Sequence, residues 1–469
     1  MNQDSSQRIV EPLRRWIASA TPGARLPSTR ALVAEHGASA ATVQRALRTL
    51  AAEGAVETRP GTGTFVRAAR AAPPTDYSWQ TAALGAPERS IPSISTALRS
   101  RPPESIALHS GYPDDELLPV RLVRSAIARA GRSGAAVDRP PTVGDPDLRA
   151  WFAGELAART IASAAAPRAS DVVILPGSQS GLGAIFRGLV GSGGPLLVES
   201  PTYWGAIRAA AQIGVRLVPV ASGPDGPDPE AIDRAFRETG ARALYAQPSF
   251  ANPTGAQWTT DRADRVLEIV RDHGAFLIED DWAHDFGIDA EPRPLAGRDD
   301  SGHVVYLRSL TKSVSPAIRV AAAIVRGPAR DRILSDVATE SMYVSGLLQA
   351  IARDVVTQPA WETHRRTVRG ILRDRRDQLV AAVQEHAPRA HLTRIPSGGL
   401  NLWVQLAEGI DADRVVRDCA AAGVMIAPGS EWFPAEASGP FVRLNYSGPE
   451  PHRFAEAARM LGGVLDGVS

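Results

Sequence analysis

The sequence predicts a multidomain protein, with a small α+β head of residues 1–68, a linker of residues 69–104 and a large α/β body of residues 105–469. Three observations lead to this prediction. The first 70 residues contain ten arginines against five acidic residues, and they hold two short capped helices followed by a hairpin pattern. From about residue 105, apolar strand-like runs alternate with helical stretches, which is typical of a mostly parallel sheet covered on both faces. Between the two parts lies a stretch rich in Ala, Pro and Ser.

The head begins with a predicted amphipathic helix, residues 7–19. Its apolar side chains fall on one side at helical spacing. They are Ile9, Val10, Leu13, Trp16 and Ile17. Ser28 is a suitable N-cap for a short helix that Gly37 ends, and Ser39 is a suitable N-cap for a second helix that ends at Gly54. Two short helices joined by a tight glycine turn form a helix-turn-helix.

The next stretch, AVETRPGTGTFVRA, has RPGTGT between two β-prone segments, which predicts a hairpin or wing. Together with LPSTRAL and TVQRAL before it, this string resembles the winged helix-turn-helix domain of GntR-type regulators over about residues 5–68. The resemblance implies double-stranded promoter DNA as a partner, with the second helix of the pair in the major groove. Candidate DNA-binding residues are Arg30, Ser39, Thr42, Gln44, Arg45, Arg48, Arg59, Gly61, Thr62 and Gly63.

Two points limit this comparison. The family often has arginine directly after the capping serine, whereas this chain has Ala40, so the operator sequence does not carry over from relatives. The alternative for the whole head is a protein-binding module whose arginines form a solvated face. The combination of wing, caps and positive charge favours DNA.

Residues 69–104 show no sustained hydrophobic period. This composition predicts a semi-extended linker that lets the head move relative to the body. Tyr77 and Trp79 are candidates for docking this linker on the body.

The body contains seven apolar runs that predict strands. They are VVILPG, PLLVES, VRLVPV, ALYAQP, FLIEDD, VVYLRS and VAAAIV. Ligands of open parallel sheets bind beyond the carboxyl ends of the strands. The loops that follow these runs are therefore where we expect a site.

Lys312 is the only lysine among 52 lysine and arginine residues. Arginine supplies positive charge and phosphate binding as well as lysine does, but its guanidinium stays protonated in proteins. Only lysine can lose its proton and attack a carbonyl, which indicates a Schiff-base role for Lys312. The alternative is a surface lysine left over in an arginine-biased composition.

Polar and aromatic side chains follow the predicted strands. Ser178 and Gln179 start a helix after VVILPG, where free N–H groups and the helix dipole favour a phosphate. Tyr203 follows PLLVES, Asn252 precedes a proline turn, and Asp280 stands at the end of FLIEDD. Each signal alone is ambiguous, because small-residue helix starts and Asn-Pro turns are common.

Taken together, these residues resemble the fold-type I pyridoxal-phosphate enzymes of the aminotransferase class I/II family over about residues 105–469. The resemblance implies pyridoxal 5′-phosphate as cofactor, with Lys312 as the catalytic Schiff-base lysine. The implied cofactor-binding residues are Lys312, Asp280, Asn252, Tyr203, Ser178, Gln179, Ser309, Thr311 and Arg319. Arg443 matches the family arginine that binds a substrate carboxylate. Trp282 stands where the family commonly has a tyrosine that hydrogen-bonds the phenolic oxygen of the cofactor.

A GntR-type winged helix joined to such a body resembles the MocR/GabR family of transcriptional regulators. This implies a pyridoxal-phosphate-dependent regulator that senses an amino compound through Lys312, and a head-to-tail homodimer that contacts two half-sites. Two alternatives stay open. One is a working aminotransferase whose DNA-binding head is secondary, and the other is a protein for which the cofactor itself is the signal.

Composition excludes several other classes. The chain starts without an apolar signal segment and has no run near the ~18 apolar residues of a membrane span, so we expect a cytoplasmic protein without membrane contact. The only cysteine is Cys419, which excludes a disulfide framework and a Cys-based zinc site, and no metal is expected. A net charge of +1 and 44% hydrophobic residues are ordinary for a globular protein.

Overall fold

The computed structural model describes residues 6–67, 78–84 and 90–467. These residues belong to two compact units, one within residues 1–87 and the other within residues 88–469. None of the described helices is both long enough and apolar enough to cross a membrane.

The N-terminal unit is a winged helix-turn-helix. Its elements are α1 (Gln7–Ser19), α2 (Thr29–His36), α3 (Ala40–Ala52), β1 (Val56–Arg59), β2 (Gly63–Val66) and α4 (Ser78–Leu84). Helices α1 to α3 and the antiparallel β1–β2 hairpin share one apolar core, to which Ile9, Leu32, Val43 and Val56 each contribute a buried side chain. The predicted helix, helix-turn-helix and hairpin are all confirmed.

Local capping explains where the two short helices begin and end. The Ser28 hydroxyl accepts a hydrogen bond from the Ala31 N–H at 3.2 Å, and the Ser39 hydroxyl accepts one from the Thr42 N–H at 3.2 Å. Gly37 ends α2 in the left-handed conformation with φ of 58°. The caps and the glycine therefore set the turn between α2 and α3.

Two details of the N-terminal part differ from expectation. Trp16 was predicted on the apolar side of α1 but is 39% exposed, since Ile9, Val10 and Leu13 already fill the contact with the core. The linker was predicted to be semi-extended, whereas two short stretches within it are helical, α4 and a 3₁₀ turn, Thr96–Leu98. Trp79 in α4 is 64% exposed, and Tyr77 lies outside the described residues.

The body alternates strands and helices along the chain. The strands are β3 (Ile106–Ala107), β4 (Val172–Leu175), β5 (Pro195–Ser200), β6 (Arg216–Gly223), β7 (Gly226–Pro227), β8 (Ala243–Ala246), β9 (Phe276–Asp281), β10 (Val304–Ser309), β11 (Ala321–Ile324), β12 (Ala390–Leu392), β13 (Asn401–Leu406), β14 (Val424–Met425), β15 (Ala427–Pro428) and β16 (Phe441–Asn445). The helices are α5 (Val120–Ala130), α6 (Pro146–Ala157), α7 (Ser178–Leu189), α8 (Trp204–Ile213), α9 (Pro229–Thr239), α10 (Thr260–Asp272), α11 (Pro328–Ser341), α12 (Gly346–Val356), α13 (Pro359–His386), α14 (Ala412–Ala422) and α15 (Phe454–Gly467).

The main sheet has the order β4-β11-β10-β9-β8-β5-β6-β7. Pairs from β10 through β6 are parallel, whereas β11 runs antiparallel to both of its neighbours and β7 runs antiparallel to β6. Its strands are apolar runs because separate apolar clusters cover the two faces of the sheet. All seven predicted strands are present, and the predicted mostly parallel α/β sheet is confirmed.

The C-terminal part of the body carries a second, antiparallel sheet of order β12-β13-β16-β15. It packs with α13 and α15 in an apolar cluster that also includes Phe250 and Trp282 from the main-sheet side. Cys419 of α14 is fully buried in this cluster, as a small side chain. Strand β16 matters for the site because it carries Arg443.

Candidate functional site

A cavity of about 310 Å³ lies beyond the carboxyl ends of β4, β5, β8 and β10. Of the ten body residues predicted from the sequence, nine line this cavity. They are Ser178, Gln179, Tyr203, Asn252, Ser309, Thr311, Lys312, Arg319 and Arg443. The tenth, Asp280, lies buried at the end of β9, close enough to Lys312 for their charges to interact. The structure thus brings the predicted residues together from loops that are far apart in sequence.

Lys312 follows β10 by three residues and extends its amine into the cavity. Its Nζ lies 4.9 Å from the ring centre of Trp282 and 5.9 Å from that of Tyr112. Burial lowers the pKa of Lys312 from 10.5 to about 8, and the positive charges of Arg443 and Arg319 act in the same direction. A larger fraction of this amine is therefore neutral and nucleophilic near neutral pH than of a lysine in water.

Asp280 keeps one carboxylate oxygen available. Its Oδ2 accepts hydrogen bonds from the Tyr245 hydroxyl at 2.8 Å and from the Gln247 amide at 2.9 Å. Its Oδ1 is buried and has no hydrogen-bond partner among the described residues. Burial raises the pKa of Asp280, and the bonds from Gln247 and Tyr245 oppose that rise. A buried oxygen without a donor is the place where a cationic N–H of a ligand is most strongly stabilised.

One end of the cavity is built for an anion. Helix α7 begins at Ser178, directly after Gly177, and its first N–H groups have no partner within the helix. The Arg319 guanidinium lies against Gly177 so closely that a Cβ there would be 2.6 Å from Nη2. Thr311 Oγ1 is buried and has no hydrogen-bond partner among the described residues. Amides, a hydroxyl and a guanidinium at one point form a phosphate-binding arrangement.

Tyr203 forms an aromatic wall of the cavity. Its hydroxyl donates to Gln179 Oε1 at 3.2 Å, and the Gln179 amide donates to the Gly205 carbonyl at 2.8 Å. Trp204 packs against the Tyr203 ring at a centroid distance of 5.2 Å. These contacts fix the Tyr203 ring in place. Gln179 therefore contributes to the site through its side chain, which orients Tyr203, as well as through its backbone N–H at the start of α7.

Arg443 is completely buried and has no carboxylate partner among the described residues. Its Nη2 donates to the His109 carbonyl at 2.7 Å, its Nη1 donates to Asn252 Oδ1 at 3.3 Å, and the Trp432 ring lies 4.6 Å from its guanidinium carbon. Burial lowers the pKa of Arg443 to about 10. The charge of Glu431 opposes this shift, although the hydrogen-bond partners of Arg443 named here are neutral. A buried guanidinium without a carboxylate in hydrogen-bond contact is a favourable site for a ligand carboxylate.

Six further residues line the cavity, of which the sequence suggested only Trp204, as a bulky side chain that narrows the pocket. They are Ala97, Leu98, Gly111, Tyr112, Trp204 and Pro316. Trp204 and Pro316 adjoin predicted residues, whereas the other four come from the segment that precedes the body helices. The Gly and Pro of GYPD at residues 111–114 predict a turn there, but they do not indicate that the turn reaches the cavity.

Trp282 does not present its donor to the cavity. Its indole N–H donates to the Phe250 carbonyl at 3.0 Å, and its ring is buried in the apolar cluster of the second sheet. The substitution of the usual tyrosine therefore leaves the cavity without a hydrogen-bond donor at this position. Asn252 keeps its side-chain N–H₂ for the cavity, because its Oδ1 already accepts from Arg443.

In the head, the predicted DNA-binding residues of α3 lie on its outer face. Gln44, Arg45 and Arg48 are exposed, whereas Val43 and Leu47 on the other face are buried. Ser39 caps the helix and also hydrogen-bonds Thr42 Oγ1 at 2.9 Å. In a helix-turn-helix protein, this face of the second helix is the one that lies toward the major groove.

The other predicted DNA-binding residues of the head lie in the β1–β2 hairpin and, for Arg30, at the start of α2. Gly61 and Gly63 have φ of 73° and 131°, so both turn positions use conformations that favour glycine. Arg59 is engaged within the hairpin, because it pairs with Glu57 and its guanidinium carbon lies 4.8 Å from the centre of the Phe65 ring. Thr62 at the tip and Arg30 at the start of α2 are exposed.

Comparison with known proteins agrees with both parts of the chain. Residues 103–461 match the family described as aminotransferase class I and II, and residues 5–66 match the bacterial regulatory proteins of the gntR family. The chain belongs to the aminotransferase class I and II family. Its GntR-type head implies that this member binds DNA, and family membership implies pyridoxal phosphate as its cofactor.

Relatives of two kinds match this class I/II chain. A 2-aminoadipate transaminase of Thermus thermophilus is 29% identical over 78% of the chain and 91% of its own length. A probable rhizopine catabolism regulatory protein, MocR, of Rhizobium meliloti is 27% identical over 97% of the chain and 92% of its own length. The crystal structure of LysN, an alpha-aminoadipate aminotransferase of T. thermophilus, matches with a TM-score of 0.72 at 27% identity over 78% of the chain and 93% of its own length. Of these, the regulator also matches the head.

The cavity of this aminotransferase-like body fits pyridoxal phosphate. An amine of lowered pKa faces the cavity, a buried carboxylate oxygen lacks a donor, and an anion-binding end combines a helix start with Arg319. These are the partners that an aldehyde, a protonated ring nitrogen and a phosphate require. The Thr311 hydroxyl, which has no hydrogen-bond partner among the described residues, is a further donor at the phosphate end.

We predict that Gly177→Ala weakens pyridoxal phosphate binding. The added Cβ would meet Arg319 Nη2 at 2.6 Å, and Gly177 has φ of 90°. The guanidinium must therefore move, and losing one charge-assisted hydrogen bond to the phosphate, about 1.5–3 kcal/mol, corresponds to roughly ten- to 150-fold weaker binding. Titration of apo-protein with the cofactor, followed by absorbance, measures this change.

Gly191→Ala is the matched control, since Gly191 has φ of 78° but no atom within 4 Å of an added Cβ. It carries similar backbone strain away from the cavity. Equal cofactor affinity in the two variants would contradict the assignment of Gly177 and Arg319 to the phosphate end.

Proposed function

We propose that this protein is a pyridoxal-phosphate-dependent transcriptional regulator. The head binds promoter DNA, and the body binds the cofactor and an amino-compound effector at Lys312. One observation carries the proposal: a DNA-binding type of head and a cavity with nine of the ten expected cofactor and carboxylate residues occur in one chain. The regulator that matches over almost its whole length supports the same combination.

Lys312 is the residue that bonds to the cofactor. When bound, pyridoxal phosphate supplies an electrophilic aldehyde and a ring that accepts electrons. For Nζ to act as nucleophile it must be neutral, and the buried, cation-rich surroundings of Lys312 favour that form. The nearby charge of Asp280 opposes this effect but does not cancel it.

Asp280 holds a proton on the ring nitrogen of the cofactor. Its free Oδ1 is the acceptor, and Tyr245 and Gln247 fix the carboxylate through Oδ2. An ionised carboxylate beside a cationic N–H favours the protonated ring, which is the form that withdraws electrons. Tyr203 would contact the cofactor ring, and the side-chain amide of Asn252 would be available as a donor to its phenolic oxygen.

The phosphate is held by the amides of Ser178 and Gln179, the hydroxyls of Ser309 and Thr311, and the Arg319 guanidinium. Arg443 binds the effector carboxylate on the other side of the cavity. Its fork geometry suits two parallel hydrogen bonds, and its burial makes an unpaired charge costly, so a carboxylate ligand is strongly favoured there.

The effector acts by preferring one conformation of the protein. A ligand shifts an equilibrium only by its difference in affinity for the two states, and a few kcal/mol suffices for a switch. We propose a homodimer in head-to-tail arrangement, in which the two heads contact two half-sites of the promoter. The conformational change of the body then alters how both heads engage DNA.

A second candidate function is aminotransferase activity. The residues needed to bind the cofactor and a carboxylate substrate are all at the cavity, and the pKa of Lys312 near 8 suits a residue that exchanges protons. The transaminase relative supports this candidate as well. Steady-state conversion of an amino donor and a 2-oxo acid at a rate typical of enzymes would favour it over the regulator.

We predict a pH dependence for cofactor uptake by apo-protein. Only neutral Lys312 reacts, so the rate rises about ten-fold per pH unit below pH 8 and levels off above it. A free lysine derivative, with its pKa near 10.4, should still be rising at pH 9. Stopped-flow absorbance of both reactions checks this, and a rate that keeps rising to pH 10 would contradict the lowered pKa.

We predict that Lys312→Ala separates DNA binding from sensing. The variant should bind promoter DNA as the wild type does, because Lys312 lies in the body. It should take up no borohydride-stable pyridoxyl group and show no change of DNA affinity with any of the standard amino acids. Mass spectrometry and gel-shift titration measure these properties. A full effector response in this variant would exclude the covalent mechanism.

We predict that Arg48→Ala weakens DNA binding. Arg48 is exposed on α3, and losing one phosphate contact should lower the slope of log affinity against log salt by about 1. Arg8→Ala is the control, since Arg8 is also an exposed head arginine but lies on α1. Similar salt slopes for both variants would assign DNA binding to another face of the head.

A further inference from the structure

The segment that leads from the linker into the body, residues 90–99, is bound by side chains of the body at three points. The Arg208 side chain donates to the Pro92 carbonyl. Glu431 binds the middle of the segment, and His109 Nε2 hydrogen-bonds the Arg99 carbonyl at 2.9 Å. We call residues 95–99 the clasped segment. Along the sequence, the clasped segment lies between the rest of the linker, which leads to the head, and the body.

The Glu431 carboxylate holds the clasped segment with three hydrogen bonds. It accepts from the Thr96 N–H at 2.8 Å, from the Thr96 hydroxyl at 2.7 Å and from the Ser95 hydroxyl. Ser95 and Thr96 are only 2% and 6% exposed. Hydrogen bonds to an ionised acceptor are stronger than neutral ones, so a single side chain provides most of the polar attachment here.

The clasped segment forms a wall of the effector cavity. Ala97 and Leu98 both line it, together with Lys312 and Arg443. Only a narrow gap separates Ala97 from Arg443. A methyl group added at Gly111 would lie 4.0 Å from both the Ala97 Cβ and Arg443 Nη1. A carboxylate ligand on Arg443 therefore places its side chain within reach of the clasped segment.

The residues that hold the clasped segment are also those that hold Arg443. His109 hydrogen-bonds the Arg99 carbonyl through its ring and accepts from Arg443 through its own carbonyl at 2.7 Å. Trp432, which packs on the Arg443 guanidinium, is the residue directly after Glu431. A change at Arg443 thus has two short paths to the clasped segment.

The chemistry of this wall limits the ligand. Ala97, Leu98, Tyr112, Trp204 and Pro316 present carbon or aromatic surface. Among the described residues that line the cavity, the charged side chains are Lys312, Arg319 and Arg443, and none is a carboxylate. Once the cofactor and one ligand carboxylate occupy the three cations, an apolar side chain is the best match to what remains.

We propose that the effector is an amino acid with an apolar side chain, and that Ala97 and Leu98 contact this side chain and pass the signal to the linker through the Glu431 clasp. This proposal rests on the proposed regulator function. Ligand contact adds to the attachment of the clasped segment, so the occupied protein holds the linker more tightly than the empty one. The head then experiences a shorter free linker when effector is present.

The test uses full-length holoprotein in four forms: wild type, Glu431→Ala, Leu98→Asp and Glu436→Ala as matched control. Glu436 is an exposed glutamate five residues from Glu431. L-leucine is the probe, and L-glutamate is the comparison ligand. Ligand binding is followed by absorbance of the bound cofactor, order of the clasped segment by amide hydrogen exchange of peptides spanning 93–99, and DNA affinity by fluorescence anisotropy.

We expect L-leucine to slow exchange of these peptides by roughly five-fold or more in wild type and Glu436→Ala, and to change their DNA affinity. Glu431→Ala should exchange roughly ten-fold faster, which corresponds to about 1.4 kcal/mol, and should bind L-leucine without a DNA response. Leu98→Asp, altered at a half-exposed side chain, should keep the cofactor but bind L-leucine at least about ten-fold more weakly.

Several results would overturn this proposal alone. These are a wild-type DNA response in Glu431→Ala, unchanged exchange with L-leucine, or L-glutamate binding as tightly as L-leucine. If Glu431→Ala does not fold, an unchanged L-leucine affinity in Leu98→Asp still rejects it. A colourless wild type that incorporates no pyridoxyl group would instead overturn the proposed function, and this proposal with it.

Discussion

The site depends on placing an amine and a carboxylate in the same buried region. Lys312 and Asp280 come from the adjacent parallel strands β10 and β9, whose paired register sets Leu307 opposite Asp280. Parallel pairing brings both carboxyl ends to one edge of the sheet, so the two groups meet without a long loop. Burial then lowers the pKa of the amine and raises that of the acid. Each pKa shift reflects the free-energy cost of burying a charged group. A ligand that supplies the missing hydrogen-bond and charge partners offsets this cost.

Strand alternation separates Asp280 from its acidic neighbours. Glu279 and Asp281 point to the opposite face of β9, where the backbone N–H groups of Leu295 and Ala296 bind the first and His284 and Tyr306 bind the second. The fold itself therefore satisfies both oxygens of Glu279 and one oxygen of Asp281. Asp280 and Asp281 each keep an Oδ1 without a hydrogen-bond partner among the described residues, and strand alternation directs the two to opposite faces of β9. Asp280 is the one of the three whose charge interacts with that of Lys312, so it is the one placed to serve a ligand of the cavity.

Much of this could be predicted from local sequence, and the misses have a common cause. Strands, caps and the lone lysine are visible in a window of a few residues. The wall formed by Ala97, Leu98, Gly111 and Tyr112 is not, because these residues reach the cavity only through contacts with side chains more than 300 positions away, such as Glu431 and Arg443. Trp282 shows the same limit. Its residue type shows only that an indole replaces the usual tyrosine and that its N–H is the one donor there, and the structure assigns this N–H to the Phe250 carbonyl.

A complete cofactor cavity is compatible with a regulator, because the same contacts can serve two purposes. In an enzyme, binding energy is most useful where it appears only in the transition state. In a sensor, it must distinguish two ground-state conformations. In the sensor that we propose, Ala97 and Leu98 contact the bound ligand, and Glu431 connects them to the linker through Ser95 and Thr96. Binding free energy gained there would favour one conformation of the protein in its ground state, which is what regulation of a DNA-binding head at the other end of that linker requires.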